Sequence, residues 1–149
     1  MNYLKLQTDI LKAWERENTR GKKSPFMYGL LDETVGITVD EHYIVMVPRC
    51  AFALDLKRVF EKQEPYDLTR FTDYHDTEPI YDTGILRITA DGRKVRVFSS
   101  SNDEIWIDEK YFGYFGQDVT EYRGSAKNKP VFLFEEEVLV GMLLPVAHS

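Results

Sequence analysis

A chain of 149 residues with 43% hydrophobic and 30% charged side chains is too apolar for disorder and too charged for a membrane protein, and its length suits one domain with one sizeable core. The longest apolar run, Val138 to Ala147, covers about half of the roughly 20 residues a spanning helix needs. A formal net charge of −6 argues against a nucleic-acid partner, because phosphate binding uses clustered Lys and Arg.

The start, Met1-Asn2-Tyr3-Leu4-Lys5, leads into a charged amphipathic stretch without a secretory pattern, so a cytoplasmic single domain over residues 1–149 with no membrane partner is expected. The lone Cys50 has no intramolecular disulfide partner, and no Cys or His cluster has zinc-ligand spacing. It reads as a buried or half-buried structural thiol.

Residues 8–18 place Ile10, Leu11 and Trp14 on one stripe with Lys12, Glu15 and Arg16 opposite, which predicts an amphipathic helix capped by Thr8 or Asp9 and closed by the loop Thr19 to Pro25. From Phe26 the period becomes that of strands: Met27 to Leu31, Val35 to Val39 and Tyr43 to Val47, ended by Pro48. Ala51 to Leu54 predicts a short strand, followed by an Asp55 cap and a short helix over 57–61. Residues 64–83, with six acidic residues, two prolines and the aromatics Tyr66, Phe71, Tyr74 and Tyr81, predict a long loop.

Asp91-Gly92 predicts a hairpin between Ile85–Thr89 and Lys94–Phe98. A strand over 104–107 then meets Asp108 and an irregular helix over 110–115, weakened by Gly113 and by Gly116 just after it. Val119–Tyr122, Val131–Phe134 and Val138–Leu144 are the last predicted strands, with a basic turn from Arg123 to Lys129 and a polar link at 135–137.

The charge is unevenly placed. Helical candidates 6–23, 54–62 and 109–116 hold nine basic and six acidic residues, which leaves ten basic and nineteen acidic elsewhere out of totals of 19 and 25. A repeat accompanies this. Leu54-Asp55-Leu56-Lys57 and Ile107-Asp108-Glu109-Lys110 share an apolar residue, an Asp, one residue and a Lys, with Leu6 to Lys12 as a looser third copy; the Asp positions are 46 and 53 residues apart. This predicts an α+β fold of repeated strand-helix-strands units, an antiparallel sheet with short helices on one face.

The C-terminal segment, with an apolar strand entering a cap and short helix (Ile105 to Phe115), the strand start Lys129-Pro130-Val131 and the closing Leu143-Leu144-Pro145-Val146, resembles the end of a bacterial DNA polymerase III sliding clamp. The resemblance implies a DNA-clamp-like module of a phage or mobile element that binds DNA without reading sequence, or binds replication proteins. Lys12, Arg16, Lys57 and Arg58 would face DNA, and Leu144, Pro145 and Val146 would border a pocket for partner peptides. Three helical units stand where a clamp domain has two, and a ring built from so short a chain requires a homo-oligomer.

Two other readings stand beside it. The aromatics Tyr66, Phe71, Tyr74 and Tyr81 in the acidic loop could form a protein-partner surface without DNA affinity. His75, between Asp73, Asp76 and Glu78, is the candidate centre of a metal-dependent enzyme, against the plainer reading of a solvated acidic loop. Arg123, Lys127 and Lys129 could grip phosphate or an acidic partner from their turn, against the plainer reading of a solvated loop. Ser99-Ser100-Ser101 lacks a nucleophile-elbow context and no phosphate-binding glycine loop occurs. No catalytic residue, metal ligand or cofactor is assigned, and a non-enzymatic binding or scaffold module is the expectation.

Overall fold

The computed structural model describes residues 1–148. Its elements are α1 (Tyr3–Arg20), β1 (Phe26–Leu31), β2 (Thr34–Val39), β3 (Tyr43–Pro48), α2 (Leu56–Val59), β4 (Tyr66–Asp67), β5 (Glu78–Ile88), β6 (Lys94–Ser99), β7 (Glu104–Asp108), β8 (Glu121–Gly124), β9 (Val131–Glu135) and β10 (Val138–Leu143), with 3₁₀ turns at Arg49–Ala51, Leu68–Phe71 and Glu109–Tyr114. The strands form one ten-stranded sheet in the order β4-β1-β2-β3-β10-β9-β8-β5-β6-β7. Every neighbouring pair is antiparallel except the short β1–β4 pair. The fold is α+β, and among the described residues no helix is long and apolar enough to cross a membrane.

Helix α1 buries Leu6, Ile10 and Ala13, spaced as one stripe of a helix. It begins at Tyr3 and not near Thr8, because the Asn2 side chain accepts from Lys5 N–H while the Asn2 N–H donates to the Tyr114 carbonyl. Thr8 and Asp9 therefore lie inside the helix. Gly21, at φ 66°, closes it in the left-handed conformation that glycine adopts without strain.

Alternation along β3 sends Tyr43, Val45 and Val47 to one face of the sheet and Ile44 and Met46 to the other. The first face carries the main core. Leu6 and Ile10 of α1, Phe60 after α2, and Tyr111, Phe112 and Phe115 pack there with Val35, Val45, Phe98, Ile105 and Leu133. The second face is covered differently, by Leu68 and Tyr74 against Ile44, Met46, Phe132, Phe134 and Met142. Helical elements on one face describe α1, α2 and the turn at 109–114; the Leu68–Phe71 turn is the exception.

Four sequence expectations are corrected. Residues 51–54 form no strand: after Pro48 the chain makes a 3₁₀ turn, and Ala53 N–H donates to Gln7 Oε1 of α1 at 2.7 Å. Residues 64–83 are not one loop, since Tyr66–Asp67 pairs with β1, Leu68–Phe71 is a 3₁₀ turn, and β5 starts at Glu78. The strand expected at 119–122 runs from Glu121 to Gly124, which places Arg123 in β8 and not in a turn. Of the three matched aspartates, Asp55 and Asp108 are N-caps, accepting from Arg58 and Lys110 N–H, whereas Asp9 is not.

Candidate functional site

On the second face, one residue from each of four adjacent strands stands in register: Thr38 of β2 opposite Ile44 of β3, Ile44 opposite Met142 of β10, and Met142 opposite Phe132 of β9. Side chains in a row across a sheet make a continuous strip. This strip is the floor of a cavity of about 660 Å³. Tyr66, Leu68, Arg70, Phe71, Asp73, Asp76 and Thr77, from the segment that begins at β4, line it together with Glu41, Leu144, Pro130 and Lys129.

The 66–77 segment is held over the sheet by three attachments. Its Leu68 fills a notch made by Gly29 and Gly36, which pair across β1 and β2. A Cβ built on Gly36 would stand 2.5 Å from Leu68 Cδ1, and one on Gly29 would stand 2.5 Å from Leu68 Cγ and 2.7 Å from the Tyr66 carbonyl. Tyr74 meets Phe134 edge-on at 4.9 Å between ring centres. Arg123 closes the far end, donating to the Thr77 carbonyl at 2.5 Å, to Thr77 Oγ1 at 3.2 Å and to Glu121 at 2.9 Å.

Groups read separately from the sequence meet here: Tyr66 and Phe71 of the aromatic segment, Leu144 of the C-terminal segment, Asp73 and Asp76 beside His75, and Lys129 of the basic turn. The others lie elsewhere. Tyr74 is packed under the segment on Phe132 and Phe134. Tyr81 is exposed on β5. Pro145 is half-buried, and Val146 is buried with its N–H donated to the Trp106 carbonyl, beside a separate shallow hollow.

His75 is 86% exposed, with Nδ1 3.1 Å from Asp73 Oδ1. Asp76 points to the cavity while Glu78 bonds Ser101. Among the described residues no group of three His, Cys, Asp or Glu is placed to hold a metal ion. Cys50 is exposed.

Lys12, Arg16, Lys57 and Arg58 are all exposed, but not as one patch. Helical spacing puts Lys5, Asp9, Lys12 and Arg16 along the flank of α1 that meets Tyr114. Gln7 and Trp14 lie on the opposite flank, which meets residues 53–63 and so the α2 region.

Sequence reasoning missed the floor of the cavity and the notch. Paired glycines inside two strands were the available signal, since a strand glycine marks close approach of another group. Comparison with family models, with curated proteins and with solved structures returns no match to this chain.

Proposed function

We propose that this chain is a non-enzymatic, clamp-like binding module whose cavity under the 66–77 segment seats a short apolar stretch of a protein partner. One observation carries this reading: Tyr66, Phe71 and Leu144 line the same cavity. The volume of about 660 Å³ suits a few side chains and falls within the range of roughly 300–1,000 Å³ usual for binding pockets. Phe71 and Tyr66 offer aromatic anchors, Met142 an adaptable floor, and Arg70, Asp73, Asp76 and Lys129 a polar rim that fixes orientation. Two helical elements, α1 and the turn at 109–114, each followed directly by a three-stranded meander (β1–β3 and β8–β10), support the clamp-like architecture, while α2 reaches the β5–β7 meander only after β4 and the Leu68–Phe71 turn.

Panning a displayed peptide library on the chain tests the proposal. The expected result is a consensus with spaced apolar residues whose affinity falls about tenfold or more in Phe71→Ala, the loss of an exposed aromatic anchor. Absence of a consensus, or peptides indifferent to Phe71→Ala, overturns it.

A second reading, DNA association without sequence preference, is favoured by the Lys5, Lys12 and Arg16 stripe on α1. Retention of a short duplex that weakens between low and moderate salt, and further in Lys12→Glu with Arg16→Glu, is its expected signature. Duplex-indifferent elution at low salt removes it.

A further inference from the structure

The charges of this molecule are sorted between the two faces of its sheet. Residues 3–23, which include α1 on the first face, carry six basic and three acidic side chains. Residues 64–78, whose Leu68 and Tyr74 cover the second face, carry five acidic side chains and one basic, a sum of −4 with His75 neutral. The cavity lies on this acidic side. Its lining holds three carboxylates, Glu41, Asp73 and Asp76, and two cations, Arg70 and Lys129.

Two of these five are already engaged within the chain. Asp73 Oδ1 accepts from the His75 N–H at 3.1 Å and lies 3.1 Å from His75 Nδ1. Arg70 is offset by Asp67, whose carboxyl is held below its usual range first by hydrogen bonds from Thr69 and then by the charge of Arg70. The side chains of Glu41, Asp76 and Lys129 are exposed and make no hydrogen bond or ion pair with another described residue. The strands set the two free carboxylates at opposite ends of the floor. Glu41 stands in the turn between β2 and β3, whose Thr38 and Ile44 begin the strip. Asp76 precedes Thr77, whose carbonyl is held by Arg123, the register partner of Phe132 at the other end.

Strands spaced about 4.8 Å apart make this four-strand strip about 14 Å long, the reach of about four extended residues. An occupant lying on it meets apolar side chains along its middle and an unpaired carboxylate near either end. We propose that the partner stretch seated in this cavity is basic as well as apolar: a short linear segment with Lys or Arg on either side of its apolar residues, facing Glu41 and Asp76. This rests on the reading of the cavity as a peptide seat and adds the charge of its occupant. Lys129 is the opposing charge, and the excess of carboxylates around the mouth sets the sign. Opposite charges around a rim steer association and select the partner more than they add affinity, and the same field repels acidic peptides.

Fluorescence anisotropy on the full chain with three synthetic peptides tests it. They share one core containing leucine and phenylalanine and differ only in its flanks, which are lysine, glutamine or glutamate. The lysine peptide should bind about tenfold tighter than the glutamine peptide, and the glutamate peptide weaker still, with the gaps closing as ionic strength rises. Glu41→Gln with Asp76→Asn should bring the lysine peptide to within a few-fold of the glutamine peptide and leave the glutamine peptide unchanged. Phe71→Ala should weaken both. Equal binding of the lysine and glutamine peptides, or a lysine preference that survives Glu41→Gln with Asp76→Asn, overturns the proposal. Phe71→Ala separates the two readings. Equal peptides that still depend on Phe71 overturn the charge and keep the seat, whereas a lysine preference indifferent to Phe71→Ala, or no binding of any peptide, overturns both.

Discussion

Tyr114 Oη donates to Asp9 Oδ2 at 2.8 Å, joining the turn after β7 to the second turn of α1 across 105 positions of sequence. Lys5 Nζ also bonds Asp9 Oδ2, at 2.9 Å, and lies 4.3 Å above the Tyr114 ring. Burial pushes the Asp9 carboxyl up, but the hydrogen bonds from Lys5 and Tyr114 outweigh it and hold the group below the usual carboxylate range. A folded-state value below the unfolded one stabilises at neutral pH and is lost as pH falls through it. Thermal melts below about pH 4 should therefore fall more steeply for wild type than for Asp9→Asn. At neutral pH that variant should cost about 1 kcal/mol, the usual loss for one hydrogen-bond acceptor. Parallel acid profiles of the two proteins would sink this assignment.

The alkaline limb has the opposite sign. Burial, aided by neighbouring acidic and tyrosine groups, raises Tyr43, Tyr111 and Tyr114, with Tyr111 reaching about 12. Raised folded values keep their full stabilisation below the unfolded value of about 10 and lose it as pH climbs above. Circular dichroism should show unfolding setting in above about pH 10, with a shallower alkaline slope in Tyr43→Phe than in wild type.

The Leu68 notch makes a sharper prediction, because its two glycines fail for different reasons. Gly36→Ala meets the side chains of Leu68 and Met46, at 2.5 Å and 3.1 Å; Gly29→Ala also meets the Tyr66 carbonyl at 2.7 Å. Each should cost about 1–3 kcal/mol as an overpacked site. Adding Leu68→Ala should relieve Gly36→Ala, giving a favourable coupling of about 1 kcal/mol or more in a double-mutant cycle, and should relieve Gly29→Ala less. Denaturant melts of the six proteins provide the measurement.

How far the fold was legible follows from such contacts. The β1–β3 meander, the 94–98 strand and the last two strands were readable because alternation and turn residues are local signals. Asp55 and Asp108 were readable as caps for the same reason, since an N-cap acts within three residues. Asp9 shared their sequence context and does something else, because its partner Tyr114 comes from a distant element. Residues 64–83 looked like loop because charge and proline hide a strand start at Glu78 and one buried leucine. The cavity was legible only in halves: its aromatic wall and Leu144 were visible, but its floor depends on the register of β2, β3, β10 and β9.

The turn between β9 and β10 is strained and improvable. Glu136 and Glu137 both have positive φ, 47° and 70°, between the paired residues Glu135 and Val138. Two left-handed residues in a two-residue hairpin turn favour Asn-Gly. Glu136→Asn with Glu137→Gly should raise stability by about 1 kcal/mol, a rise of about 3 °C in melting temperature for a chain of this length.

Arg123 separates an anchoring role from a surface role. Its guanidinium is half-buried and forked over Thr77 and Glu121, so it is spent inside the molecule and not offered to an acidic partner from a turn. Planar, multidentate donation is what lysine cannot reproduce. Arg123→Lys should thus behave nearly as Arg123→Ala does, with amide exchange over residues 72–78 accelerated about tenfold, since a local opening made easier by about 1.4 kcal/mol exchanges tenfold faster. Exchange in β3 and β10 should stay unchanged, because those strands are paired on both sides within the sheet. Uniform acceleration across the sheet would instead make Arg123 a determinant of global stability, and rescue by lysine would make its charge, not its fork, the operative feature.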